Sequence, residues 1–169
     1  ETGVPLVLTT ANAILSRCEI TRDFWSYLPI EGEAALEGIE LRITRNVQLV
    51  RLNIPGRGPV HVYNTHLCSG CSVEALQRQM DALLGFVDRA EAAVSGRQVL
   101  LGGDFNLDLS KGANERNVYD RILSAGFTDV YAHFRATQFG EAIETLCLEG
   151  VPDRHCTDGV SSLQGVIDT

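Results

Sequence analysis

The chain has 169 residues, 44% hydrophobic and 21% charged, which suits one globular domain with its own core and excludes wholesale disorder. Acids outnumber bases by 22 to 14, so the net charge of −8 provides no global basic field for a polyanion, and a local patch or a bound cation would have to hold one. No apolar run approaches the roughly 18 residues of a membrane helix, and the opening Glu1-Thr2-Gly3-Val4-Pro5 lacks the pattern of a secretory leader.

Apolar runs at 4–8 and 11–15 predict two short strands. Phe24, Trp25 and Tyr27 read as an aromatic cluster in a loop. At 39–43, Ile39, Leu41 and Ile43 alternate with Glu40 and Arg42, the period of a strand. Runs at 47–54 and 60–67 flank the turn Pro55-Gly56-Arg57-Gly58-Pro59 and predict an antiparallel hairpin. Ser72 is suited to cap a helix running to about residue 95, with Glu74 in its first turn and Gly96 as its stop. Leu76, Met80, Leu83, Leu84 and Val87 form its buried face. Val99-Leu100-Leu101 predicts a strand covered on both faces. A second helix is expected at 115–124, ending near Gly126. Residues 141–162 read as loop, and 165–168 as a last strand.

The sharpest chemical feature is Leu101-Gly102-Gly103-Asp104-Phe105-Asn106-Leu107-Asp108, a buried strand running into two glycines, an acid and an amide. Strand ends are where α/β sheets form ligand clefts. In an extended segment Asp104 and Asn106 project to one side, with Phe105 anchored inward. A carboxylate there orients a water or binds a hard cation, while an amide donates to an anionic oxygen. The plainer reading is an Asx-rich turn, with Asp108 a turn residue. In Tyr63-Asn64-Thr65-His66-Leu67, Asn64 and His66 share one face, and the imidazole suits a phosphoryl oxygen or a leaving group; the plainer reading is a satisfied structural histidine at a strand end. Ser16 and Arg17 follow an apolar run, which would point Arg17 at a cleft mouth, although taken alone a solvated arginine is the better reading.

Five cysteines fall as two local pairs, Cys68 with Cys71 and Cys147 with Cys156, leaving Cys18 over. That spacing suggests two disulfides and a secreted or periplasmic protein; reduced thiols in a cytosolic one are the competing reading. A four-cysteine zinc site and a thioredoxin-type redox pair rank lower, because only one pair has two-residue spacing and it follows directly on Asn64-Thr65-His66-Leu67.

The run Ala13-Ile14-Leu15-Ser16-Arg17, then Asn64-Thr65-His66-Leu67, then Arg78-Gln79 on a helix, then Leu100-Leu101-Gly102-Gly103-Asp104-Phe105-Asn106, resembles the endonuclease/exonuclease/phosphatase superfamily over residues 11–129. The resemblance implies a four-layer α/β sandwich, two packed mixed or antiparallel sheets flanked by helices. It also implies a divalent cation, usually magnesium, at one edge of the sandwich. Carried over, Asp104 orients or deprotonates the attacking water, Asn106 holds phosphoryl oxygens and His66 contacts the scissile phosphate. Asn64 and Arg17 shape the pocket, and Asp104 and Asp168 are the candidate metal ligands. The implied activity is hydrolysis of a phosphodiester, in a phospholipid headgroup or a nucleic acid.

The sequence departs from the family at both ends. The family's early Gln-Glu element, whose glutamate is the main metal ligand, has no counterpart; Glu19 stands in the wrong place for it. The closing Ser-Asp-His element is also missing, and Asp153-Arg154-His155 does not replace it. The expectation is therefore a single, partial domain over 1–169, in which residues 1–3 are native or vector-derived, inactive alone and completed by a further polypeptide segment. The rival reading is a non-catalytic binding module on the same sandwich.

Overall fold

A computed structural model of the chain describes residues 8–9, 11–30, 32–36, 39–92, 98–109, 112–130 and 132–133, with backbone alone at 8–9, 32–36 and 39–42. The expectations at residues 4–7, Gly96, 141–162, 165–168, Cys147, Cys156, Asp153, His155 and Asp168 lie outside the described residues.

The chain folds as α+β. Its strands are β1 (Leu8–Thr9), β2 (Glu19–Tyr27), β3 (Gly32–Leu36), β4 (Ile39–Thr44), β5 (Asn46–Ile54), β6 (Gly58–His66) and β7 (Gln98–Asp104). The helices are α1 (Val73–Glu91) and α2 (Ala113–Ser124). One sheet has the order β1-β4-β3, the other β2-β5-β6-β7. In the larger sheet β2, β5 and β6 run antiparallel and β7 joins β6 in parallel, so the sheet is mixed.

The predicted hairpin is the β5–β6 pair, closed by Arg57 N–H donating to the Ile54 carbonyl at 3.0 Å. A parallel partner needs a crossover, and α1 supplies it between β6 and β7. Ser72 caps α1 as expected, its hydroxyl accepting from Ala75 N–H at 3.2 Å. The backbone N–H of Glu74, then the Ser72 hydroxyl, hold the Glu74 carboxyl below its usual value. Ala75, Leu76, Met80, Leu83 and Val87 lie down on Val47, Leu49, Tyr63, Val99 and Leu101 of the sheet. Each such large side chain withdrawn from water contributes about 1.5–3 kcal/mol. On α2, Val118 and Ile122 join the same cluster, and an Arg121–Asp81 ion pair bridges the two helices. The opposite face of the sheet buries Val50, Leu52 and Val60, so the centre of the sheet is covered on both sides.

Four local expectations are corrected. Residues 11–16 form no strand: Leu15 is 96% exposed, and the segment is tied down by side chains instead. Asn12 donates to the Asn46 carbonyl and Oδ1, both at 2.9 Å, and Asn64 donates to the Ala13 carbonyl at 3.2 Å. The aromatic cluster lies on strand β2, not in a loop; its register with β5 pairs Phe24 with Leu49 and Trp25 with Gln48. Almost every β2 residue is exposed, so the alternation that announces a strand is absent. Strand β3 was not foreseen. On β7, Val99 and Leu101 are buried but Leu100 only partly, so this strand is covered more on one face than the other.

Candidate active site

The parallel register of β6 and β7 sets Asn64 beside Gly102, Thr65 beside Gly103 and His66 beside Asp104. Registered partners share a face of a sheet, so Asn64, His66 and Asp104 stand together at the carboxyl ends of the two strands. His66 Nε2 lies 3.6 Å from Asp104 Oδ2, and the two side chains are 39% and 45% exposed. A group at this spot reaches solvent and still has a partner within one small adjustment.

Backbone geometry holds the pair. Gly103 has φ +134°, and a Cβ built there would stand 2.0 Å from the Thr65 carbonyl oxygen. Glycine is thus what lets β7 run this close to β6. Leu67 N–H donates to the Asp104 carbonyl at 2.8 Å, which carries the pairing one residue beyond the strands. Phe105, 1% exposed, and the buried Leu107 alternate with Asp104 and Asn106, so the loop is nailed down from below while its polar side chains stay accessible. The inward anchor expected of Phe105 is present.

The extended backbone expected through 104–106 is corrected. Asn106 sits at φ +49°, and its N–H donates to Asp104 Oδ1 at 2.9 Å. That is an Asx turn. It leaves Oδ2 facing His66. The Asn106 amide donates to the Leu67 carbonyl at 2.8 Å, which laces the β7 loop to the end of β6 and leaves its second hydrogen and its oxygen. Asp108 N–H is 2.5 Å from Glu115 Oε2, so Asp108 belongs to the approach to α2, in keeping with a turn residue.

The loop from β6 to α1 is braced twice. Cys68 and Cys71 form the expected disulfide, and Cys18 has no disulfide partner among the described residues. Gln79 is fully buried: its Oε1 accepts from Cys68 N–H and its Nε2 donates to the Pro29 carbonyl, both at 2.8 Å. Sequence reasoning found Gln79 only inside the family resemblance; an uncharged amide on the core face of α1 is the signal that it bridges two loops. Arg17 is exposed at the bend before β2, and Asn64 is committed to the 11–16 segment. Among the described residues no three His, Cys, Asp or Glu side chains gather as a metal-ligand group. Asp104 is the described member of the predicted metal pair.

A different cluster went unpredicted. On the α1 face of the sheet, His61 Nδ1 and the Tyr63 hydroxyl both lie 2.5 Å from Glu91 Oε1 at the end of α1. Period-two spacing puts His61 on the face of Tyr63, but nothing local marks Glu91 as their partner.

No family model and no curated protein matches the chain. Solved structures do. An endonuclease/exonuclease/phosphatase from Beutenbergia cavernae is 25% identical, covers 69% of this chain and 30% of its own, and superposes with a TM-score of 0.50. A mannosyl-6-phosphatase from Bacteroides thetaiotaomicron is 17% identical over 67% of this chain and 40% of its own, also at TM-score 0.50. The human Nocturnin catalytic domain with bound sulfate is 15% identical over 73% of this chain and 41% of its own, again at 0.50. The chain thus spans less than half the length of each. With its mixed four-stranded sheet and flanking helices, the chain has part of an endonuclease/exonuclease/phosphatase fold.

Proposed function

We propose that this chain is part of a divalent-metal-dependent phosphoesterase that hydrolyses phosphodiester bonds. The observation that carries the reading is the half-exposed His66–Asp104 pair, 3.6 Å apart at the carboxyl ends of parallel strands. The Beutenbergia cavernae protein is an endonuclease/exonuclease/phosphatase, and a second structural relative is a phosphatase, which supports phosphoryl chemistry in general.

Hydrolysis adds water to phosphorus and breaks the bond to the leaving oxygen; one proton departs from the water and one arrives on the leaving group. Asp104 would orient the water and take its proton. His66 would hydrogen-bond a phosphoryl oxygen or protonate the leaving oxygen. Asn106 would donate its remaining amide hydrogen to a phosphoryl oxygen, and Asn64 and Arg17 would shape the approach. A magnesium ion would supply charge neutralisation at the phosphoryl group. Magnesium sites commonly use one or two carboxylates, with water and substrate phosphate completing the shell, so the single carboxylate of Asp104 fits such a site. Asp168 is the second ligand we propose.

The substrate would be a phospholipid headgroup or a nucleic acid. The Cys68–Cys71 disulfide supports export to an oxidising compartment. The outer edge of β2 has no strand partner among the described residues, a place for a complementing segment to pair.

The test is hydrolysis of bis(p-nitrophenyl) phosphate by the protein that contains this chain, with and without magnesium. Activity should require the ion, and Asp104→Ala and His66→Ala should each lower kcat/KM by about 10²–10⁴-fold. Activity untouched by both substitutions rejects the site. Absence of any phosphodiester hydrolysis favours a binding module.

A further inference from the structure

A cavity of about 370 Å³ lies on the sheet face that carries His61, lined by Arg22, Phe24, Arg51, Phe86 and Arg89 among others, with Trp25 at its edge. Its size is that of a small-molecule site. His66 and Asp104 belong to the opposite face, because His66 stands an odd number of positions along the strand from His61. The cavity is therefore separate from the site proposed above.

Its charge is unusual for a protein of net charge −8. Arg22 and Arg51 are direct cross-strand partners in the β2–β5 register. Like charges placed opposite one another destabilise a sheet. Arg89 adds a third guanidinium from the last turn of α1. Its Nη1 lies where a Cβ on Gly85 would be only 3.3 Å away, so a glycine in the helix interior clears its path. Such a glycine costs a helix about 1 kcal/mol, which a packing role accounts for. None of the three guanidinium groups makes a hydrogen bond or ion pair to another described side chain. The acid that reaches this face, Glu91, is engaged by His61 and Tyr63.

Three guanidinium groups with no partner among the described residues make a local positive cluster that would attract an anion, and arginine's planar fork matches phosphate bidentately. The aromatic walls on this face are Phe24, about half-exposed, and Phe86 on the helix side; Trp25, one residue on from Phe24, turns its ring to the other face beside Tyr27. Exposed aromatic faces stack on planar bases. We propose that this cavity is a binding site for a nucleoside phosphate, its phosphate held by Arg22, Arg51 and Arg89 and its base laid on the aromatic rings.

Isothermal titration calorimetry reads the binding directly. Adenosine monophosphate, adenosine and inorganic phosphate are titrated separately, with EDTA present so that no metal-dependent turnover contributes. Adenosine monophosphate should bind with a Kd of about 1 mM or tighter, roughly tenfold below either fragment. Raising the salt should weaken it. Arg22→Ala and Arg51→Ala should each weaken binding by about tenfold. Arg89→Ala should do the same from a different element, without touching strand pairing. His66→Ala should leave the titration unchanged. No saturable binding of the nucleotide, or binding insensitive to Arg89→Ala, overturns the proposal. So does inorganic phosphate binding as tightly as the nucleotide, since the rings would then contribute nothing.

Discussion

Strand β6 carries two histidines on opposite faces of one sheet, and the surroundings of each define what it can do. His61 is 4% exposed, with its Nδ1 2.5 Å from a glutamate that also accepts from a tyrosine. His66 is 39% exposed, with a carboxylate 3.6 Å away. The first arrangement has met its polar demands within the fold. The second keeps reach in reserve, which is what a group meant for an outside ligand requires. A histidine's identity is thus a weak signal, and the register beneath it is the strong one.

The largest effect expected from breaking this contrast comes from Gly103, which serves the exposed pair through backbone alone. Gly103→Ala would drive a Cβ into the Thr65 carbonyl and impose strain at φ +134°. The loss should exceed about 4 kcal/mol, the range reserved for gross disruption. Denaturant unfolding reads it. A variant within about 1 kcal/mol of the parent would mean that β6 and β7 do not pair in this register.

Next in size is the exchange between the two histidine environments. Glu91→Ala strips the acceptor from buried His61 and from Tyr63, and each orphaned group costs about 1–3 kcal/mol. The folded fraction should keep its kcat. Asp104→Ala should do the reverse, losing about 1 kcal/mol for the Asx turn while activity collapses. Thermal unfolding and kinetics measured on both variants sharpen the comparison. A Glu91→Ala protein with parental stability would show the buried cluster to be ornamental.

These same residues show how far the sequence could be read. The β5–β6 hairpin, the Ser72 cap and α1 carry local signals, two apolar periods and a cap, and they formed where those signals lie. His66 and Asp104 were legible because each ends a strand, with Asn64 two residues before the end of β6, and strand ends converge when strands pair in parallel. Strand β2 was not legible: its side chains are exposed, and its pairing with β5 is a backbone matter. Residues 11–15 misled in the opposite sense, because an apolar run predicts burial, whereas Asn12 and Asn64 hold that segment through amide hydrogen bonds. Glu91 and Arg89 meet the sheet only through tertiary packing, which no local pattern encodes.

The smallest expected effect concerns the loop that follows His66. The Cys68–Cys71 bridge closes a very short loop, so chain-entropy reasoning allows it about 2 kcal/mol at most, or roughly 4–8 °C in Tm for a domain of this size. Gln79 already pins Cys68 N–H from the core, and Asn106 holds the Leu67 carbonyl. With those bonds in place, reduction should soften the loop without releasing His66. Thermal melts of oxidised and reduced protein should therefore differ by no more than that interval, and kcat should fall only a few-fold. A complete loss of activity on reduction would mean that the disulfide, more than Gln79 and Asn106, sets the position of His66 against Asp104.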